Sequence, residues 1–347
     1  MTRGSQTGVD DPAGWLADIQ AQITPEVMSA VDRLNPWTRR VCGYQLGWLD
    51  RHGRPDGAPG GKAIRPALAL ASARAVGGAT ATATAMPAAV AVELLHTCTL
   101  LQDDVMDQDP TRRHRPAAWT VFGPARAILA GDSLLALAFE VLSRSGHPAA
   151  AQAANDLAAT IDELIEGQSM DLAFEGAESV SLADCVRMST AKTGSLLACA
   201  CRLGGLFGGA GEAARDVLAR FGRHLGMAYQ LRDDLLGIWG DPRQTGKPAL
   251  VDLRRRKKSL PVAAALAAGN DAADQLGRLY TGTDPLTGDR LARAARLVEE
   301  AGGRAWAERA VGEEVAAAGR ALTELSRHGA ASRLLAALGD FVAGRDR

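Results

Sequence analysis

The chain has 347 residues, with 39 Lys and Arg against 40 Asp and Glu and a formal net charge of −1. That balance supplies no global field for nucleic acid or an anionic membrane, so any affinity for phosphate must come from local clusters. Hydrophobic residues make up 47% and aromatics 4%, enough apolar mass for a large core but few of the residues that favour strands.

Taken in chain order, residues 1–12 carry no apolar signal core and are expected to be disordered, which leaves 13–347 as a single helical domain. Helical periodicity runs over 25–49, 87–107, 131–142, 150–172, 182–206, 213–236 and 291–319. Stretches rich in Gly and Pro interrupt it at 53–61, 240–248 and 281–287. The longest uncharged run, 75–92, is broken by Gly77, Gly78 and Pro87 and is too polar for a transmembrane segment. There is no alternating β-branched run and no fixed-period repeat, so the prediction is all-α, with about ten helices. The five cysteines, Cys42, Cys98, Cys185, Cys199 and Cys201, are odd in number and lack the spacing of a zinc or redox motif. They are expected to be reduced core residues of a cytoplasmic protein. Trp306 is expected in the core, and Arg345 and Arg347 in solvent.

The helix predicted to end near Asp107 changes character at its end. Asp103 and Asp107 fall one turn apart on one face, Asp104 is their neighbour, and His96 lies seven positions before Asp103 on nearly the same stripe. Three carboxylates this close repel one another unless a cation joins them, and magnesium, with its preference for oxygen ligands, is the simplest candidate. Taken alone, the segment reads more readily as a solvated acidic helix end. A second segment, QLRDDLLGIWGD at 230–241, repeats the design with Gln230, Asp233, Asp234 and Asp241 after another apolar helix. Two such ends are expected to form two walls of one cavity, with a metal cluster between them.

Bases accompany both ends. Arg112, Arg113 and Arg115 follow the first; Lys247 and the run from Arg254 to Lys258 follow the second. Lys62 and Arg65 flank a Gly-rich turn, and Lys192 and Thr193 sit in AKTGS. Carboxylate-bound metal with Arg and Lys forks is what a diphosphate requires. The basic run has no interleaved aromatics, so nucleic acid is not expected as a partner.

These motifs, in this order, resemble the trans-isoprenyl diphosphate synthases, or polyprenyl synthetases, over 60–261. GGKAIRP (60–66) looks like the family's GGKxxRP, and His96 stands where the family places histidine or glutamine. DDVMD (103–107) is similar to the first aspartate-rich motif, with Arg112 and Arg113 as its paired arginines. EGQSMDL (166–172), KTG (192–194), YQLRDD (229–234), GDPRQTGKP (240–248) and DLRRRKKSLP (252–261) complete the set. The resemblance implies an all-α isoprenoid synthase fold, with antiparallel helices around a deep central cavity, and a homodimer. It implies an allylic diphosphate held through Mg2+ by Asp103, Asp104, Asp107 and Asp233, with Arg112, Lys192, Lys247 and Lys257 around it. Thr193 and Gln230 join the substrate-binding set. Isopentenyl diphosphate is expected on Lys62, Arg65, His96 and Arg113. Metal-assisted ionisation would then give an allylic carbocation that the isopentenyl double bond attacks, without any nucleophilic side chain.

Three positions depart from the pattern: Gln102 precedes the first aspartate pair where histidine is common, His114 replaces the glycine of RRGxP, and Gly237 replaces the last aspartate of the second motif. Asp233 is then expected to be the main ligand there, with Asp241 reaching the metal through water. A terpene cyclase-like enzyme and a non-catalytic synthase subunit are the alternatives; Lys62, Arg65 and His96 argue against the first, and intact DDVMD and KTG against the second. Small Cys98 and Thr99 occupy the positions where short-chain members carry bulky aromatics, with Leu95 and Val92 one turn deeper, so geranylgeranyl diphosphate is the expected product.

Overall fold

The computed structural model describes residues 11–57, 61–240, 250–282 and 284–344. It is all-α, as expected, apart from one two-stranded hairpin. By its internal packing the chain forms two compact units. One comprises residues 1–158, 199–219 and 322–338; the other comprises 159–198, 220–321 and 339–347. This matches the size at which single apolar cores stop growing.

In the first unit, helix α1 (Pro12–Val31) starts inside the stretch expected to be disordered, because Asp11 caps it and Pro12 takes its first turn. The run expected at 25–49 is broken: Asn35 caps a second helix, α2 (Pro36–Gln45), by accepting from the Thr38 N–H. Helix α3 (Ile64–Gly77) is followed by a short α4 (Ala81–Thr84) and then by α5 (Met86–Met106). α5 packs against α1, α3 and, beyond a short α6 (Ala118–Phe122), α7 (Pro124–Arg144), and it is buried almost all round. Its small residues Ala88, Ala89 and Ala91 allow that close approach. Gly204 does the same for α3, since a Cβ there would meet Ala69 O at 2.0 Å.

Among the described residues of the second unit, apolar clusters form the core. One gathers Cys185, Met227, Leu231, Leu235, Leu260 and Val311, with Trp306 packed against it as expected. Another gathers Ile238, Leu253, Val262, Leu276, Leu297 and Val298. Each fully buried Leu or Val contributes about 1.5–3 kcal/mol relative to exposure. All five cysteines are buried and free. Among the described residues, no helix is long and apolar enough to cross a membrane.

Candidate active site

α5 places Asp103 and Asp104 on its last turn and Asp107 at its C-cap. A turn of about 100° per residue sends the adjacent aspartates to different surroundings: Asp104 is 1% exposed, whereas Asp103 is half-buried. Carboxylates at a helix C-terminus oppose its dipole and call for a cation. Arg112 supplies one. Its Nε donates to Asp104 Oδ1 at 2.8 Å and its Nη2 reaches the same oxygen, while Nη2 lies 3.6 Å from Asp103 Oδ2 and 3.9 Å from Asp109 Oδ2. Burial raises the Asp104 pKa and Arg112 opposes that rise. The second oxygen of Asp104, Oδ2, is buried and has no hydrogen-bond partner.

The hairpin that carries Arg112 is built from β1 (Thr111–Arg112) and β2 (Arg115–Pro116), paired antiparallel with Arg112 opposite Arg115. Its two-residue connection, Arg113 and His114, has φ of 51° and 62°. That left-handed pair is the type I′ pattern, which glycine fits best and histidine fits at a cost. Anchors on the far side hold the turn: Arg115 lies over the Tyr44 ring at 4.3 Å and donates to Leu49 O at 3.1 Å. Tyr44 Oη donates to Pro116 O at 2.8 Å.

A cationic cluster adjoins this end. Along α5, Glu93, His96, Thr99 or Leu100, Asp103 and Asp107 follow one another at three- and four-residue steps, and all are half-buried. Arg65, on the first turn of α3, lies with Nη1 3.1 Å from His96 Nε2. A guanidinium only donates, so Nε2 accepts and the imidazole proton sits on Nδ1. Burial, then Arg65 and Arg113, hold the His96 pKa well below the ordinary range. Burial pushes Glu93 up to about 7 against the pull of the same two arginines. Gly61 makes room for Arg113: a Cβ there would come within 2.8 Å of Arg113 Nη2. Lys62 is exposed beside it, and Ala63, with φ of 48°, turns the chain into α3.

In the second unit, α8 (Ala150–Gly176) ends beside α9 (Leu182–Ser189), and the run expected to be one helix over 182–206 contains a π turn at Thr190–Gly194 ahead of α10 (Ser195–Phe207). This turn is TAKTG, and widened turns of this kind recur at functional sites. Glycines wedge it in place. A Cβ at Gly167 would meet Lys192 N at 2.5 Å, and one at Gly226 of α11 (Glu212–Trp239) would meet Gly194 Cα at 2.7 Å. So held, Lys192 Nζ lies 2.6 Å from Asp171 Oδ2, and Lys257 Nζ lies 3.5 Å from the same oxygen. Burial works against ionisation of Asp171, but Lys257 and Lys192 overcome it and hold its carboxyl below the ordinary range. Thr193 Oγ1 donates to Gln230 Oε1 at 2.8 Å, and Gln230 Nε2 donates to Asp234 Oδ1 at 2.7 Å. Leu260 N donates to Asp234 Oδ2 at 2.9 Å. Burial pushes Asp234 up to about 7. Its neighbour Asp233 is exposed.

The basic run is sorted by role. Arg254 and Arg255 are exposed, Arg256 donates to Leu279 O, Lys257 reaches Asp171, and Lys258 donates to Phe174 O at 2.8 Å. The structure thus groups Asp103, Asp104 and Arg112; Arg65, His96 and Arg113; and Lys192, Thr193, Gln230 and Lys257 around Asp171 and Asp234. Lys247 and Asp241 lie outside the described residues. Glu93, Asp171 and Asp252 are not among the expected site residues, although Asp171 stands in the EGQSMDL motif and Asp252 opens DLRRRKKSLP. A further signal is backbone strain: the described non-glycine residues with positive φ are Ala63, Gln108, Arg113, His114, Leu250 and Arg256, all in or beside these motifs.

The helical fold and the pairing of buried acid with Arg and Lys define a trans-prenyltransferase of the isoprenoid synthase fold. The family model described as Polyprenyl synthetase matches residues 49–298, and the chain belongs to that family. It is 46% identical over 288 residues to a (2E,6E)-farnesyl diphosphate synthase of Mycobacterium tuberculosis, covering 82% of this chain and 80% of that protein. It is 41% identical over 309 residues to a geranylgeranyl diphosphate synthase of the same organism, covering 89% of this chain and 88% of that protein. The crystal structure of a polyprenyl synthetase from Streptomyces coelicolor A3(2) superposes with a TM-score of 0.90 at 45% identity, covering 96% of this chain and 99% of that one.

Proposed function

We propose that this trans-prenyl diphosphate synthase joins isopentenyl diphosphate to an allylic diphosphate and makes geranylgeranyl diphosphate as its main product. The observation that carries the coupling reaction is the cluster of Arg65 and Arg113 with the neutral His96, whose two guanidinium charges are additional to those that pair with the acidic ends. An enzyme that ionises and cyclises one diphosphate has no use for a second anion pocket. In this reading Arg65 and Arg113 clamp the isopentenyl diphosphate, His96 donates from Nδ1, and Lys62 closes the pocket. Lys192 and Lys257, brought together on Asp171, hold the allylic diphosphate with Arg112 and Lys247, and Thr193 and Gln230 orient it. Their positive charge stabilises the departing pyrophosphate, which also takes the proton released after coupling.

Magnesium, when bound, would supply positive charge that offsets the charge of the diphosphate. Asp103, Asp104, Asp107 and Asp233 would hold it. Among the described residues no three acidic, His or Cys side chains meet closely enough to form a closed metal site. Magnesium usually takes one or two carboxylates and completes its shell with water and substrate phosphate. Asp104 Oδ2, a buried carboxylate oxygen with no donor facing it, fits the same chemistry.

The product length rests on α5. Thr99 lies on the half-buried stripe, while Cys98 is 2% exposed. Neither blocks a growing chain as an aromatic would. A farnesyl product is the second reading, favoured by the name of the relative at 46% identity. Mass spectrometry of products from several allylic starters, with and without isopentenyl diphosphate, decides among these readings. Thr99→Phe should shorten the main product from C20 to C15 with the condensation rate retained, and a wild type that stops at C15 refutes the longer product. The exposed apolar Trp37, Ile128 and Leu129 support self-association as a homodimer, which sedimentation would test. The five free thiols fit a reducing, cytoplasmic setting.

A further inference from the structure

Gly237 is the position at which the second acidic motif lacks a carboxylate, and it lies inside α11, where glycine is unfavourable. A Cβ built at Gly237 would come within 2.4 Å of Asp252 Oδ2 and 3.2 Å of Asp252 Cγ. The space of the missing side chain is therefore taken by a carboxylate from elsewhere in the chain.

That carboxylate is held in place by its surroundings. Asp252 lies on α12 (Val251–Arg254), which Leu250 enters in a left-handed conformation with φ of 62°. The carbonyl of Asp252 accepts from Lys257 N at 2.9 Å. Leu253, next to Asp252, and Ile238, next to Gly237, are 0% and 2% exposed in the same apolar cluster. The two segments are thus clamped together beside the contact, and α12 cannot retreat from residue 237 without opening that core.

We infer that Asp252 supplies the carboxylate that position 237 lacks, so that the second acidic motif of this chain is completed by α12 and requires glycine at 237. Its metal-facing part rests on the function proposed above. Restoring the motif by Gly237→Asp should then damage it, because two carboxylates would compete for one volume.

The test is a double-mutant cycle on the full chain, read by melting temperature and by manganese(II) uptake in the presence of inorganic pyrophosphate, followed by electron paramagnetic resonance. Gly237→Asp and Asp252→Ala should each weaken manganese uptake about tenfold, and the double variant should return to within about threefold of wild type. Should Gly237→Asp fail to fold, Gly237→Ala reads the same contact. It should lower the melting temperature in the wild-type background and raise it in the Asp252→Ala background, where the helix-favouring methyl has room. Additive melting temperatures, or tighter manganese uptake by Gly237→Asp alone, would overturn the exchange. Coupling in melting temperature without coupling in manganese uptake would overturn the ligand role of Asp252. Wild-type protein that takes up no manganese with pyrophosphate would instead overturn the metal reading of the acidic ends, leaving the melting cycle to judge the exchange.

Discussion

At the end of α5, Asp104 is buried against the guanidinium of Arg112, whereas on α11 Asp234 is buried against the amide of Gln230 and the backbone N–H of Leu260. Both dipeptides are Asp-Asp, and in both the first aspartate is the more accessible. A carboxylate facing a fixed positive charge keeps its own charge at lower cost. One facing neutral donors does not, and burial pushes Asp234 up to about 7. The pair at the first end therefore fixes a cation that also lies near Asp103 and Asp109, while the second Asp of α11 ties the KTG turn to the start of α13 (Leu260–Leu266). Repeated motif letters hide different surroundings: the first aspartate of each pair is the more accessible, and the second is buried among the groups that fix its helix end.

The largest effect is expected from the accessible aspartate. Asp103→Ala should lower kcat by about 10²–10³-fold, the usual cost of removing one group that stabilises developing charge. Steady-state rates with saturating magnesium check this, and a near-normal rate would remove Asp103 from the machinery. Next is the charge pair. Arg112→Ala leaves the buried Asp104 uncompensated and should cost roughly 3 kcal/mol of stability, measured by denaturant unfolding. An equal loss in Gln230→Ala would erase the contrast between the two ends, since only a neutral donor is removed there.

The contrast can be sharpened by pH. The folded pKa of Asp234, about 7, lies above its ordinary value of 3.8, so the folded state keeps a proton that the unfolded chain releases. Its stabilising contribution is full below about pH 4 and is lost as pH rises through 7. Asp234→Asn should flatten the decline of melting temperature across that window, leaving the part due to Glu93, which has the same sign. The relay can accept the change: Gln230 turns its amide over, and the Thr193 hydroxyl serves as acceptor instead of donor. Asp104→Asn keeps the one oxygen that accepts both Arg112 bonds and loses the charge that offsets the guanidinium. The smallest effect is at the hairpin. His114→Gly should raise stability by up to about 1 kcal/mol by relieving a left-handed side chain, with activity unchanged. A loss of stability would show that the histidine ring contributes more than its backbone costs.

The sequence by itself determined the helical class, the order of the motifs and most of the charged groups that the structure gathers at the candidate site, because helical periodicity and side-chain type are local properties of the chain. It also located the long helices: 87–107 was expected and Met86–Met106 is found, and 213–236 was expected against Glu212–Trp239. Where it misplaced boundaries, the cause was a short local signal inside a longer apolar period: Asn35-Pro36 restarting the helix within 25–49, and the π turn within 182–206. Only the tertiary structure decided which aspartate of each pair is buried, that Asp171 gathers Lys192 and Lys257, and that Asp252 fills the space beside Gly237. These depend on which residues distant in sequence come into contact. Burial, which sets the cost of a charge, is a property of those contacts and not of the letters on either side.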